Sequence, residues 1–64
     1  MSTNDSNITV GQVRRWSDTH PNDGTFFIVT KLFLDIRCEC RNVFGGSTFV
    51  CPTEEIIKYS EFAG

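Results

Sequence analysis

Sixty-four residues with six Lys or Arg against eight Asp or Glu, a formal charge of −2 and a pI near 5.1 describe one small acidic domain. A chain this short buries only about 60% of its unfolded surface, which leaves no large scaffold in which to carve a substrate cleft and argues against an enzyme. The acidic balance argues against a general nucleic-acid binder, which presents a basic surface.

Residues 1–8 are polar, without the basic start and apolar run of an export signal, and are expected to form a disordered tail ahead of a single domain over 9–64. Three cysteines cannot complete a disulfide framework within one chain, so a reducing, cytoplasmic location is expected. The apolar runs are too short to span a bilayer, and no membrane contact is expected. The small core makes self-association, as a homodimer, expected ahead of a monomer.

Val10 to Trp16 is rich in β-branched and aromatic residues and predicts a first strand over Gln12–Trp16. Ser17 to Gly24 is turn chemistry, with Pro21 fixing φ and Asp23-Gly24 supplying the positive φ of a tight reversal. Thr25 to Leu34 is apolar on both faces in its first half and predicts a central strand, covered on two sides or strongly bent. Asp35-Ile36-Arg37-Cys38-Glu39-Cys40-Arg41 alternates without error and predicts a half-buried strand with 36, 38 and 40 inward. Either a very tight reversal separates Leu34 from Ile36, or one long strand bends there. Arg41 to Ser47 reads as a hairpin connection and Thr48–Cys51 as the returning strand. Pro52-Thr53-Glu54-Glu55 reads as a single helical turn capped by Thr53, with Ile56 to Phe62 closing as a short strand or continuing the helix through Tyr59. Phe26, Phe27, Ile28, Val29, Phe33, Phe49 and Ile56 are the expected core.

In this order Gly11-Gln12-Val13-Arg14-Arg15-Trp16, Gly24-Thr25-Phe26-Phe27-Ile28-Val29, Gly45-Gly46-Ser47-Thr48-Phe49 and Glu55-Ile56-Ile57-Lys58-Tyr59 resemble the small Src-homology-type barrels, in particular the tiny barrels common in phage and bacterial genomes. The resemblance spans residues 10 to 61 and rests on spacing. It implies a mainly β fold, a five-stranded antiparallel barrel with one short helical turn near the C-terminus. It also implies a binding surface around Trp16 to Gly24, although fold alone does not imply function.

Cys38 and Cys40 sit two apart on a strand, roughly 6.6 Å between α-carbons, near the upper limit for a disulfide. With Cys51 and His20 they could supply the thiolates and imidazole that zinc prefers, but without metal-ligand spacing; the plainer reading is small buried hydrophobes. No cofactor, metal or catalytic residue is expected: His20 stands without a located nucleophile or acid. Arg14, Arg15, Arg37 and Arg41 are the polar residues to watch, because guanidinium groups bind phosphates and carboxylates in two-point geometry. The plainer reading for Arg37 and Arg41 is a solvated ladder neutralised by Glu39 and facing carboxylates; the functional one is an anion or acidic-partner surface bordered by Trp16. Trp16 either contacts a partner or plugs one barrel end, and Phe44 stands at a glycine-flanked tip. The expected function is a non-enzymatic binding module, a phage-type accessory protein that occludes and inhibits a host protein through Arg15, Trp16, His20, Arg37, Arg41 and Phe44. The alternatives are an oligomeric sponge for a nucleotide-like anionic signalling molecule and, least favoured, single-stranded nucleic-acid binding.

Overall fold

The computed structural model describes residues 8–17, 21–34 and 36–63. Within them the chain is mainly β, as expected: β1 (Val13–Trp16), β2 (Phe26–Phe33), β3 (Arg37–Asn42), β4 (Thr48–Pro52), α1 (Thr53–Tyr59) and β5 (Ser60–Phe62). The expected tail over 1–8 falls almost wholly outside the described residues, as does His20.

All strand pairs are antiparallel, in the order β4-β3-β2-β1-β5. One correction follows for the barrel: β4 and β5 are the two edges of an open sheet and do not pair with each other. No helix of the described residues is long and apolar enough to cross a membrane.

The inner face holds the core: Trp16, Phe27, Val29, Cys38, Cys40 and Ile56, with Ile8, Leu32, Phe49, Cys51 and Tyr59 packed against it. Ring centroids lie 4.6 Å apart for Trp16 and Phe27, and 5.7 Å in an edge-to-face arrangement for Phe27 and Phe49. Such pairs add about 0.5–1.5 kcal/mol each beyond their burial. α1 presents Ile56 and Tyr59 to this face and closes it.

Three expected core residues of β2 lie outside the core: Phe26 and Ile28 alternate with buried Phe27 and Val29 and are half-buried on the opposite face, and Phe33 is turned outward by a bulge. The register of β2 against β3 shifts between Val29 and Lys31, leaving Thr30 as an extra residue whose hydroxyl donates to the Glu39 carbonyl (3.0 Å). A bulge advances the period-two alternation by one. Phe27, Val29 and Leu32 therefore face the core, while Lys31 and Phe33 face out, Phe33 being exposed.

The reversal between Leu34 and Ile36 is the tight one: the Ile36 amide donates to the Phe33 carbonyl (3.1 Å), and Leu34 sits at φ +54°. Ile36, expected inward, is 65% exposed because it belongs to this turn and β3 starts at Arg37. Gly24 adopts φ +85° in the β1–β2 loop, the conformation for which glycine was read there.

The helix runs through Tyr59, beyond a single turn. Pro52 occupies its N-cap without a side-chain capping bond, so Thr53 does not cap. Its hydroxyl and amide both donate to the Ile36 carbonyl, at 3.1 and 2.9 Å, tying the helix start to the β2–β3 turn.

Candidate functional site: the outer face of the sheet

Cross-strand register fixes what the uncovered face displays. Val13, Ile28, Arg41 and Thr48 form one row across β1 to β4; Lys31, Glu39 and Val50 form the next; Phe33, Arg37 and Pro52 a third. Glu61, Arg15 and Phe26 form the row at the opposite end. Four of the six Lys and Arg residues thus stand on one face, with Glu39 and Glu61 as its acids among the described strand residues, so these strand positions carry a charge of +2 on a chain of −2.

The cations are not equivalent. Arg15 is held by Glu61 at 2.6 Å in a cross-strand ion pair, which at this exposure contributes at most about 1 kcal/mol. Glu39, expected to neutralise Arg37 and Arg41, instead accepts from the Thr30 hydroxyl (3.1 Å). Among the described residues Lys31, Arg37 and Arg41 make no ion pair. The Lys31 ammonium lies 6.0 Å from the Phe33 ring centroid. The Arg41 guanidinium lies over the β3–β4 loop, close enough that a Cβ on Gly46 would stand 3.5 Å from it.

Aromatic and apolar groups border the cations. Phe44 is 80% exposed at the hairpin tip, and Leu34 (89%) and Ile36 (65%) project from the β2–β3 turn. Where the β1–β2 loop meets the β3–β4 hairpin, Asn22, Thr25, Phe26, Asn42 and Phe44 line a cavity of about 190 Å³. The Asn42 amide donates to the Ser47 hydroxyl (2.9 Å), which holds one wall of it in place.

The expected site residues therefore divide. Arg15, Arg37, Arg41 and Phe44 are available to a partner. Trp16 is 2% exposed and belongs to the core, the second of its two readings. Lys31, Leu34 and Ile36 were missed; the bulge at Thr30 hides Lys31 from a simple alternating pattern.

Arg14 is the other surprise, because it is fully buried on the inner face. Nε donates to the Ser60 hydroxyl (2.8 Å), Nη2 to the Ser60 carbonyl (3.0 Å) and Nη1 to the Gln12 side-chain carbonyl (3.0 Å). The Ser60 hydroxyl in turn donates to the Ile56 carbonyl. Arg14 thus locks β1 to the C-terminal end of α1, where a positive charge is favoured. The only advance signal was its spacing of two from Trp16.

The three thiols are free and lie together on the inner side of β3 and β4. Cys38 and Cys40 are fully buried and Cys51 half-buried. Burial, with the charge of Cys51 second, pushes the Cys38 thiol up from 9.0 to about 11. Hydrogen bonding between Cys40 and Cys51 pushes Cys40 up and holds Cys51 down, against the effect of burial on Cys51. Among the described residues no group of three or more His, Cys, Asp or Glu is arranged to hold a metal ion.

No protein-family model, curated protein or solved structure matches the chain. What it can do is read from this geometry: a small open-sheet β protein with a closed inner core and a basic outer face.

Proposed function

We propose that the chain is a non-enzymatic binding module that docks its outer sheet face on an acidic protein surface and occludes it. The observation that carries this reading is the concentration of Arg15, Lys31, Arg37 and Arg41 on one uncovered face of an acidic chain, with three of the four free of ion pairs among the described residues. Arginines and exposed aromatics are the side chains that interfaces favour. Arg37 and Arg41 supply steering and two-point contacts, and Phe44, Leu34 and Ile36 supply apolar contact at the two ends of the face. A host protein is the partner class this reading addresses.

The test is affinity capture from a host lysate with the wild type and with Arg37→Glu/Arg41→Glu, followed by size-exclusion chromatography of the purified pair. A stoichiometric complex with an acidic protein, lost on charge reversal, is expected. Capture unaffected by the reversal, or no complex, overturns the reading.

The cavity between Asn22, Thr25, Phe26, Asn42 and Phe44 favours a second reading, in which a nucleotide-like anion places its ring against Phe44 and its charge near Arg41. A native-state ligand raises the melting temperature by mass action. A panel of mononucleotides and cyclic dinucleotides that leaves it unchanged removes this reading.

A further inference from the structure

We infer that Cys51 and Cys38 form an oxidisable pair: a hydroperoxide that reaches Cys51 converts the two thiols into a cross-strand disulfide joining β4 to β3.

The register carries the argument. Cys38 stands directly opposite Cys51. The ladder is bracketed by the Asn42 amide donating to the Ser47 carbonyl (2.8 Å) at one end and the Thr53 amide to the Ile36 carbonyl (2.9 Å) at the other. Hydrogen-bonded and non-hydrogen-bonded pairs alternate in an antiparallel ladder. Counting inward from either end makes Cys38 and Cys51 a hydrogen-bonded pair, with α-carbons about 5.5 Å apart, inside the disulfide range of about 4.4–6.8 Å. The Cys38 thiol donates to the Cys51 carbonyl at 3.8 Å, which places its sulfur against the facing residue. Cys40 faces Phe49 and lies diagonal to Cys51, where a separation of about 7–8 Å exceeds that range.

Access and activation select the first atom to react. Cys51 lies on the edge strand and is the one thiol of the three that is not fully buried. The Cys40 thiol at its sulfur favours the thiolate, which is the nucleophile.

The Cys51 thiolate attacks the terminal peroxide oxygen, the O–O bond breaks, and the alkoxide or hydroxide leaves with the electron pair and takes up a proton. Cys51 is then a sulfenic acid. Cys38 sulfur attacks Cys51 sulfur, the S–O bond breaks, and the oxygen departs as water with the Cys38 proton. Two thiols and one hydroperoxide thus give one disulfide, one alcohol or water from the peroxide, and one water.

The β-carbons of such a pair sit near the long end of about 4.5–5.5 Å, whereas a relaxed disulfide brings them to about 3.8 Å. The strands must close by roughly 1.5–2 Å. A bond held under that strain is of the readily reduced kind, suited to reversible use in a reducing compartment.

Hydrogen peroxide added to the native protein, followed by intact-mass spectrometry and thiol counting, tests the inference. A loss of about 2 Da with two of three thiols consumed, reversed by dithiothreitol, is expected. Combined cleavage after Arg and Glu separates Cys38-Glu39 from Cys40-Arg41, so peptide mapping names the bond. The peptide holding Cys51 should be linked to Cys38-Glu39. Cys38→Ser should instead stop at a sulfenic acid on Cys51 trapped by dimedone, and Cys40→Ser should slow the loss of the first thiol. Oxygen addition without loss of 2 Da in the wild type, or a link to Cys40-Arg41, overturns the assignment. The mass readout on the wild type does not depend on any variant folding.

Discussion

Ser60→Ala tests the lock between β1 and α1. The hydroxyl accepts from the fully buried Arg14 guanidinium at 2.8 Å and donates to the Ile56 carbonyl, so its removal takes an acceptor from a charged donor that water cannot reach. A hydrogen bond to a charged group is worth about 1.5–3 kcal/mol, and the expected destabilisation is about 2–3 kcal/mol. At about 4–8 °C per kcal/mol for a chain of this size, the melting temperature falls by about 10–20 °C. Urea and thermal unfolding followed by the fluorescence of Trp16, the one tryptophan, measure it. Arg14→Met removes the charge itself, so the double variant Arg14→Met/Ser60→Ala should be less destabilised than the sum of the two, by about 1 kcal/mol or more. A Ser60→Ala protein within about 0.5 kcal/mol of the wild type, or strict additivity in the cycle, would refute the idea that this pair joins the strand to the helix.

Alkaline pH should weaken the fold through Cys38: below pH 9 the contribution is intact, and between 9 and about 11 the unfolded thiol ionises while the folded one keeps its proton, costing up to about 3 kcal/mol. Urea unfolding under reductant at stepped pH should show this slope in the wild type and a shallower one in Cys38→Ala; equal slopes would count against it. Leu34→Asn should stabilise by about 0.5–1 kcal/mol, because Leu34 holds a left-handed φ that asparagine tolerates better and is 89% exposed, with little packing to lose. A drop in urea midpoint would contradict this. Phe44→Ala should leave stability within about 0.5 kcal/mol of the wild type while weakening partner binding, and a larger loss of stability would mean that Phe44 packs rather than binds.

The alternating stretch from Arg37 to Arg41 was legible because one buried and one wet face leave a period-two signature, and Cys38 and Cys40 are where that signature puts them. Phe33 was not legible, because the bulge at Thr30 inserts a residue without any mark in side-chain type and turns the rest of β2 over. Arg14 had the right spacing from Trp16, but a charge on an inward position is credible only once Ser60, 46 residues later, is seen to meet it. The helix start misled because Thr53 has the chemistry of a cap, yet the Ile36 carbonyl claims its hydroxyl. For the outer face, the arginines were visible individually, while their sharing one face with Lys31 depends on register and on the bulge.

The open edge of β4 limits how this sheet can grow. Phe49 and Cys51 turn their amides toward β3 by the same alternation that pairs Cys38 with Cys51, so the outward-pointing backbone groups belong to Thr48, Val50 and Pro52. Proline has no amide hydrogen, and a strand laid along this edge would find donors at only two positions, spaced about 7 Å apart. An edge so short gives a second copy little purchase for continuous strand addition. Any pairing along this edge therefore falls to side chains, and the face with Arg37 and Arg41, which make no ion pair among the described residues, stays open to chemistry other than its own backbone.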